Sequence, residues 1–192
     1  MTNIFINEIH KNVQIRYTKQ VKNYKLFIHW DEFYIKVNPK HTITEIEHIL
    51  HSHIDWMKNI LKKYEKQVTH LQHKIKNENL TLEYRTKEEL QHLINQYLKK
   101  YSYKGTPNRI FIKSDMNRSW ASHSQNHNLS FSTKLQYVPK ELVEYNVYHE
   151  LCHYEEWEHT PRFYELISEV YPNYKEYDEL ANAYSYLLVH KQ

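Results

Sequence analysis

The chain has one glycine, Gly105, in 192 residues, where average usage would supply about 13. A phosphate-cradling P-loop and a dinucleotide fingerprint each need two or more glycines, so both are excluded. The single cysteine, Cys152, excludes an intramolecular disulfide and suits a reducing compartment. Alanine (3), proline (5) and arginine (5) are scarce as well. No apolar run approaches the roughly 18 residues of a membrane span. The first eight residues lack the basic and apolar regions of a secretory leader. A formal charge of +3 is too small to argue for a nucleic-acid partner. A cytoplasmic protein with no membrane, DNA or RNA partner is the expectation.

Histidine (15) and tyrosine (18) are in excess. The abundant Lys and Asn beside them fit an A+T-rich coding sequence, so the histidines carry meaning only at particular positions. Residues 12–37 alternate in period two through Val13, Ile15, Tyr17, Leu26, Ile28, Phe33, Ile35 and Val37, which predicts two or three antiparallel strands with a tight turn at Asp31-Glu32. Thr44-x-x-Glu47 reads as a capping box opening a helix through Ile46, Leu50, Met57 and Tyr64. Residues 65–85 are polar and Lys-rich, a helix extension and connector with a solvated face. Thr86-x-x-Glu89 opens another helix, and Gly105-Thr-Pro107 marks a turn. Strands at 109–113 and 128–132 flank a polar loop; helices follow from Pro139 to about Trp157, from Thr160-Pro161 to before Pro172, and over 174–189.

Chemistry concentrates in the helix after Pro139, which contains His149-Glu150-x-x-His153. Residues four apart share a helix face, so both imidazoles can reach one metal ion. Glu150 lies beside them, placed to take a proton from the attacking water rather than to ligate. Chance alone gives such a match about 0.1 times in a chain this rich in His and Glu, and roughly 0.01 times with a third His six residues on, as at His159. The spacing is that of metzincin ligands, but Glu156 stands where those have Gly and no Met follows His159. Asp178 and Glu179, in a segment similar to the E-x-x-A-N-x-F of other zinc peptidases, compete with His159 for the third position. Cys152 lies off the ligand stripe and reads as packing.

Further segments fall into a pattern. Strands from Ile15-Arg16 to Val37 precede Pro39 and a helix containing Asp55-Trp56; Trp120-x-Ser122 matches part of an R-W-G-S-C box; Asn128-Leu-Ser-Phe131, Pro139-x-Glu141-Leu142, Glu144-Tyr145 to His153, and His159-Thr160 with Phe163 follow. Together they resemble the YgjP-like metallopeptidase family, zincin relatives of the SprT-like proteins, over nearly the whole chain. The resemblance implies an α+β, zincin-like fold: a small antiparallel sheet packed on the HExxH helix, preceded by an N-terminal β-hairpin region. It implies one domain over 1–192, with strands plus helix at 1–66 and a metal-binding core at 86–192. It makes His149, His153 and His159 the ligands of Zn2+, in preference to Asp178 or Glu179, and Glu150 the base. Trp120 and Asn128 are expected to bind substrate, with 128–132 as an edge strand pairing with an extended peptide.

This chain departs from the box at Ser119 (Arg in the family), Ala121 (Gly) and His123 (Cys), and has Glu158 where Asn is common. His123 has two readings, a group that approaches the metal or polarises a substrate oxygen and a solvated loop histidine, of which the second is favoured in so His-rich a chain. The expected activity is zinc-dependent hydrolysis of a peptide or protein. Two alternatives are a UTP pyrophosphatase, an activity also described in the family, and a zinc-stabilised interaction module without turnover.

Overall fold

The computed structural model describes residues 2–29, 32–116 and 118–190. The chain forms two compact units, Met1–His70 and Leu71–Gln192. Each has its own apolar core.

In the first unit, β1 (Asn3–Ile6), β2 (Lys11–Tyr17), β3 (Tyr24–His29) and β4 (Glu32–Val37) form one sheet in the order β1-β2-β4-β3. Period-two alternation places Val13, Ile15, Phe33, Ile35 and Val37 on the core side, where all are buried. The pairing differs from the expected antiparallel set: β2 runs parallel to β4, with Val13 opposite Phe33, and β1 adds a fourth strand. Alternation reports which face of a strand is buried, not the direction of its neighbour, so period alone did not fix this. The expected turn at Asp31-Glu32 falls at Asp31, outside the described residues; Glu32 opens β4.

Helix α1 (Ile43–Ser52) starts two residues earlier than the sequence reading has it. The capping box is Thr42 with Glu45: the Glu45 N–H donates to the Thr42 hydroxyl, and the Thr42 N–H to the Glu45 carboxylate at 2.7 Å. Thr42 and Thr44 both fit the S/T-x-x-E pattern, and the earlier one leaves an additional Ile46 N–H to Thr42 carbonyl bond. His53 interrupts the helical run (φ −112°, ψ 10°), and α2 (Ile54–Asn77) follows. No helix among the described residues is long and apolar enough to cross a membrane.

The second unit is built around α4 (Lys140–Cys152), nine of whose residues are buried. Leu142, Val143, Val147 and Leu151 pack with Leu90, Ile94 and Leu98 of α3 (Lys87–Lys100), with Phe163 and Ile167 of α5 (Pro161–Ser168) and with Tyr184 and Leu187 of α6 (Tyr174–His190). The Thr86–Glu89 capping box opens α3 as expected. A small sheet contributes Leu129 and Phe131 to the same core. Its strands are β5 (Arg109–Lys113), β6 (Ala121–His123) and β7 (Asn128–Ser132), in the order β5-β7-β6. Strands β6 and β7 are antiparallel, while β5 joins β7 in parallel. The second unit thus combines a small mixed sheet with helices, an α+β arrangement in which β6 lies against α4.

Two points of this architecture correct the sequence reading and matter for function. First, α4 ends at Cys152 rather than near Trp157. The N–H groups of Tyr154, Glu155 and Glu156 bond back to Leu151 and Cys152 carbonyls, closing a turn that sends the chain back past the helix. Second, β7 is the central strand, paired on both sides, so Asn128–Ser132 has no free edge. The edge next to α4 belongs to β6. Trp120–Ser132 and Ser124–Asn128 mark the hydrogen-bonded pairs of this ladder, so the N–H and C=O groups of Ala121 and His123 point away from β7.

Candidate metal centre

Three imidazoles converge where α4 ends. His149 comes from the last turn of the helix, His153 from its C-cap, and His159 from beyond the turn, immediately before Thr160 caps α5. One ring nitrogen from each lies within 4.8 Å of the others, and the Nε2 atoms of His149 and His159 are 3.0 Å apart. His153 Nδ1 is 3.0 Å from the Glu156 carbonyl. A carbonyl only accepts, so Nδ1 carries the proton and Nε2 keeps its lone pair for a metal. The glycine of metzincins is not needed at Glu156. Among the described residues positive φ is confined to His10, Asn79, Gly105 and His127, so residues 154–158 reverse the chain with ordinary backbone angles.

Phe163, fully buried, braces all three rings: its centroid lies 4.8 Å from His149, 4.6 Å from His153 and 4.6 Å from His159. Burial, reinforced by the neighbouring imidazoles, lowers the His149 pKa to about 3. Burial also lowers His153. Neutral imidazole is the form that ligates a metal, so the donor set fits a divalent ion of borderline softness.

Glu150 follows His149 and is 5% exposed. Among the described residues no hydrogen-bond donor reaches its carboxyl group, and burial pushes it up to about 8. Glu150 and the three histidines open into one cavity of about 460 Å³, also lined by Ser119–His123, Tyr145, Asn146, Trp157 and Asp178.

The other expected site residues fall on both sides of the line. Trp120 lines the cavity, with the Lys134 ammonium 4.8 Å above its ring. Asn128 does not line it and lies in the paired central strand, which removes the basis for its assignment as a substrate ligand. Asp178 reaches the cavity wall but accepts a hydrogen bond on Oδ1 from the Tyr145 hydroxyl at 2.8 Å; Glu179 is exposed, 3.8 Å from Lys74. Neither joins the histidine cluster.

His123 is not a solvated loop residue. It sits in β6, half-buried, with Nε2 3.1 Å from His127 Nδ1 and its ring 4.6 Å from Tyr154. Burial lowers its pKa to about 4, helped by His127 and His153. Cys152 is fully buried and its thiol is pushed up to about 12, which makes it the packing residue expected. The sequence reading missed the Tyr145–Asp178 contact. The available signal was that Tyr145 lies one turn before His149 on the same helix face.

No curated protein matches the chain. Among solved structures it is similar to the metallopeptidase zymogen of Pyrococcus abyssi abylysin, with 17% identity and a TM-score of 0.41 over 54% of this chain and 96% of that one. The profile of the YgjP-like metallopeptidase domain matches residues 70–183, a span that holds the three histidines, Glu150 and every element that positions them. The chain belongs to the YgjP-like metallopeptidase family.

Proposed function

We propose that the protein is a zinc-dependent metallopeptidase, with His149, His153 and His159 as the zinc ligands and Glu150 as the general base. The observation that carries this reading is the convergence of three imidazoles and an unpartnered buried carboxylate on one cavity. When bound, the ion supplies Lewis-acid polarisation of the scissile carbonyl and acidifies water beside it. Glu150, though raised by burial, ionises more readily beside a divalent cation. It takes a proton from the attacking water as oxygen adds to the carbonyl carbon. It then delivers that proton to the amide nitrogen as the C–N bond breaks, so the base is regenerated. The outward backbone groups of Ala121 and His123 offer an extended peptide a strand to pair with, and Trp120 flanks it.

A nucleotide substrate fits this cavity poorly. Among the described residues its lining holds no Lys or Arg, and its carboxylates Glu150, Glu158 and Asp178 would face a triphosphate. The test is to load the full chain with zinc and incubate it separately with casein and with nucleoside triphosphates. Casein cleavage is expected, with Glu150→Gln lowering kcat by about 10²- to 10⁴-fold while the variant still binds one zinc. Nucleotide hydrolysis alone, full activity in Glu150→Gln, or zinc binding with neither activity would each overturn the reading.

A further inference from the structure

Histidines apart, the acidic and basic side chains that line the cavity among the described residues are all carboxylates, with the Lys134 ammonium over the Trp120 ring, and one of these carboxylates is held in place from behind. Asp178 stands on α6 and receives the Tyr145 hydroxyl on Oδ1 at 2.8 Å. Tyr145 is itself immobilised: it is 4% exposed, stacked on Tyr177 at 4.9 Å and edge-on to Tyr171 at 5.3 Å. A carboxylate has roughly four acceptor positions, and this hydrogen bond uses one. Asp178 is exposed to the cavity, and no cation among the described residues pairs with it. Glu158, also exposed, adds a second negative charge to the same lining. Glu150, nine-tenths buried and without a hydrogen-bond donor among the described residues, faces the same cavity and adds a third carboxylate to its lining.

We propose that Asp178, oriented by Tyr145, is a specificity-determining residue that selects peptides presenting a lysine or arginine side chain to the cleft. The proposal rests on the metallopeptidase reading and names its substrate class. A cationic side chain gains a charge-assisted hydrogen bond to the free Oδ2 and the favourable potential of Glu158. An acidic side chain meets both carboxylates without compensation. Tyr145 acts through Asp178 as a positioning residue, since its hydroxyl is already committed to that carboxylate.

The test uses the zinc-loaded full chain and matched fluorogenic peptides that differ only by Lys, Leu or Glu at each position flanking the cleaved bond. At one position kcat/KM for Lys should exceed that for Glu at least ~10-fold, with the gap shrinking as salt screens the charges. Asp178→Asn should bring the Lys-to-Leu ratio near one, mainly through KM. Asp178→Glu should restore part of the preference, and Tyr145→Phe should weaken it without abolishing it. A second readout avoids turnover: calorimetric binding of Lys-containing and Glu-containing peptides to the metal-free chain, with and without Asp178→Asn. Cleavage without any charge preference, or a preference that survives Asp178→Asn, would sink this proposal and leave the peptidase reading standing. Basic peptides that bind through Asp178 but are never cleaved would support the specificity and overturn the peptidase reading.

Discussion

Phe163 offers no ligand atom, yet its ring lies 4.6–4.8 Å from all three imidazoles and is wholly buried. It fixes ring planes that would otherwise rotate about their χ2 torsions, as an outer-shell group orients metal ligands. Substituting Phe163 should therefore have two separable effects, on stability (Phe163→Ala) and on zinc affinity (Phe163→Leu). Loss of a buried aromatic ring costs about 3–5 kcal/mol of stability, read from urea midpoints in the absence of metal. Phe163→Leu keeps most of the volume and should cost about 1–2 kcal/mol, yet weaken zinc binding roughly 10-fold, read by competition with a chromophoric chelator. Unchanged zinc affinity in Phe163→Leu would show that the backbone alone positions the histidines. Gly105 holds a second residue-scale constraint, with φ +157° and a built Cβ only 2.6 Å from the Tyr154 ring. That ring stacks on His127 at 4.8 Å and packs on His123 at 4.6 Å, so it cannot swing away freely. Gly105→Ala should cost about 1–3 kcal/mol, and a urea midpoint within error of the parent would refute the clash.

At the scale of elements, β6 is three residues long and carries the free edge beside α4. Proline is tolerated where the N–H it removes points out of the ladder, and the Ala121 N–H does so. Ala121→Pro should therefore retain β6 and a near-parental thermal midpoint while raising KM for extended peptides about 10-fold, as one main-chain hydrogen bond to substrate is lost. A parental KM in a folded Ala121→Pro would move the peptide off this edge. That strand was the least legible element in the sequence. Three residues are too few for a periodic signal, whereas Asn128–Ser132 shows alternation and attracted the role of edge strand. Which strand is central depends on pairing between distant segments, and so does the parallel direction of β2 and β4. Local signals fared better. The Thr86–Glu89 cap and the Thr160-Pro161 start depend on neighbours within four residues, and both stand where the sequence places them. The end of α4 was misplaced because residues 154–157 have no helix breaker, and the turn that stops them is made by backbone hydrogen bonds. The histidine cluster was legible because two of its members are four apart on one helix and the third follows six residues later.

For the whole molecule, the placement of the three clustered histidines predicts where a metal would act on stability. All three histidines lie in the unit Leu71–Gln192, and the core of Met1–His70 contains none of them. His149 and His153 belong to the end of α4, while His159 lies past the turn and leads into α5. A metal held by the three would tie that turn to the helix and resist its opening. Binding to the folded state alone stabilises by about 2.7 kcal/mol at a free concentration 100 times Kd. The gain belongs to the openings that separate the ligands. Amide hydrogen exchange with zinc and with chelator should therefore differ most across residues 146–167, more weakly in the rest of the second unit, and not in β1–β4. His159→Ala should abolish the difference while leaving metal-free exchange in α4 near that of the parent, because His159 is exposed and its removal opens no core cavity. Equal protection of both units by zinc would mean that the ion binds elsewhere or that the chain opens as one cooperative body. Protection that survives His159→Ala would instead give the third coordination position to another residue, for which the cavity wall offers the carboxylates of Glu158 and Asp178.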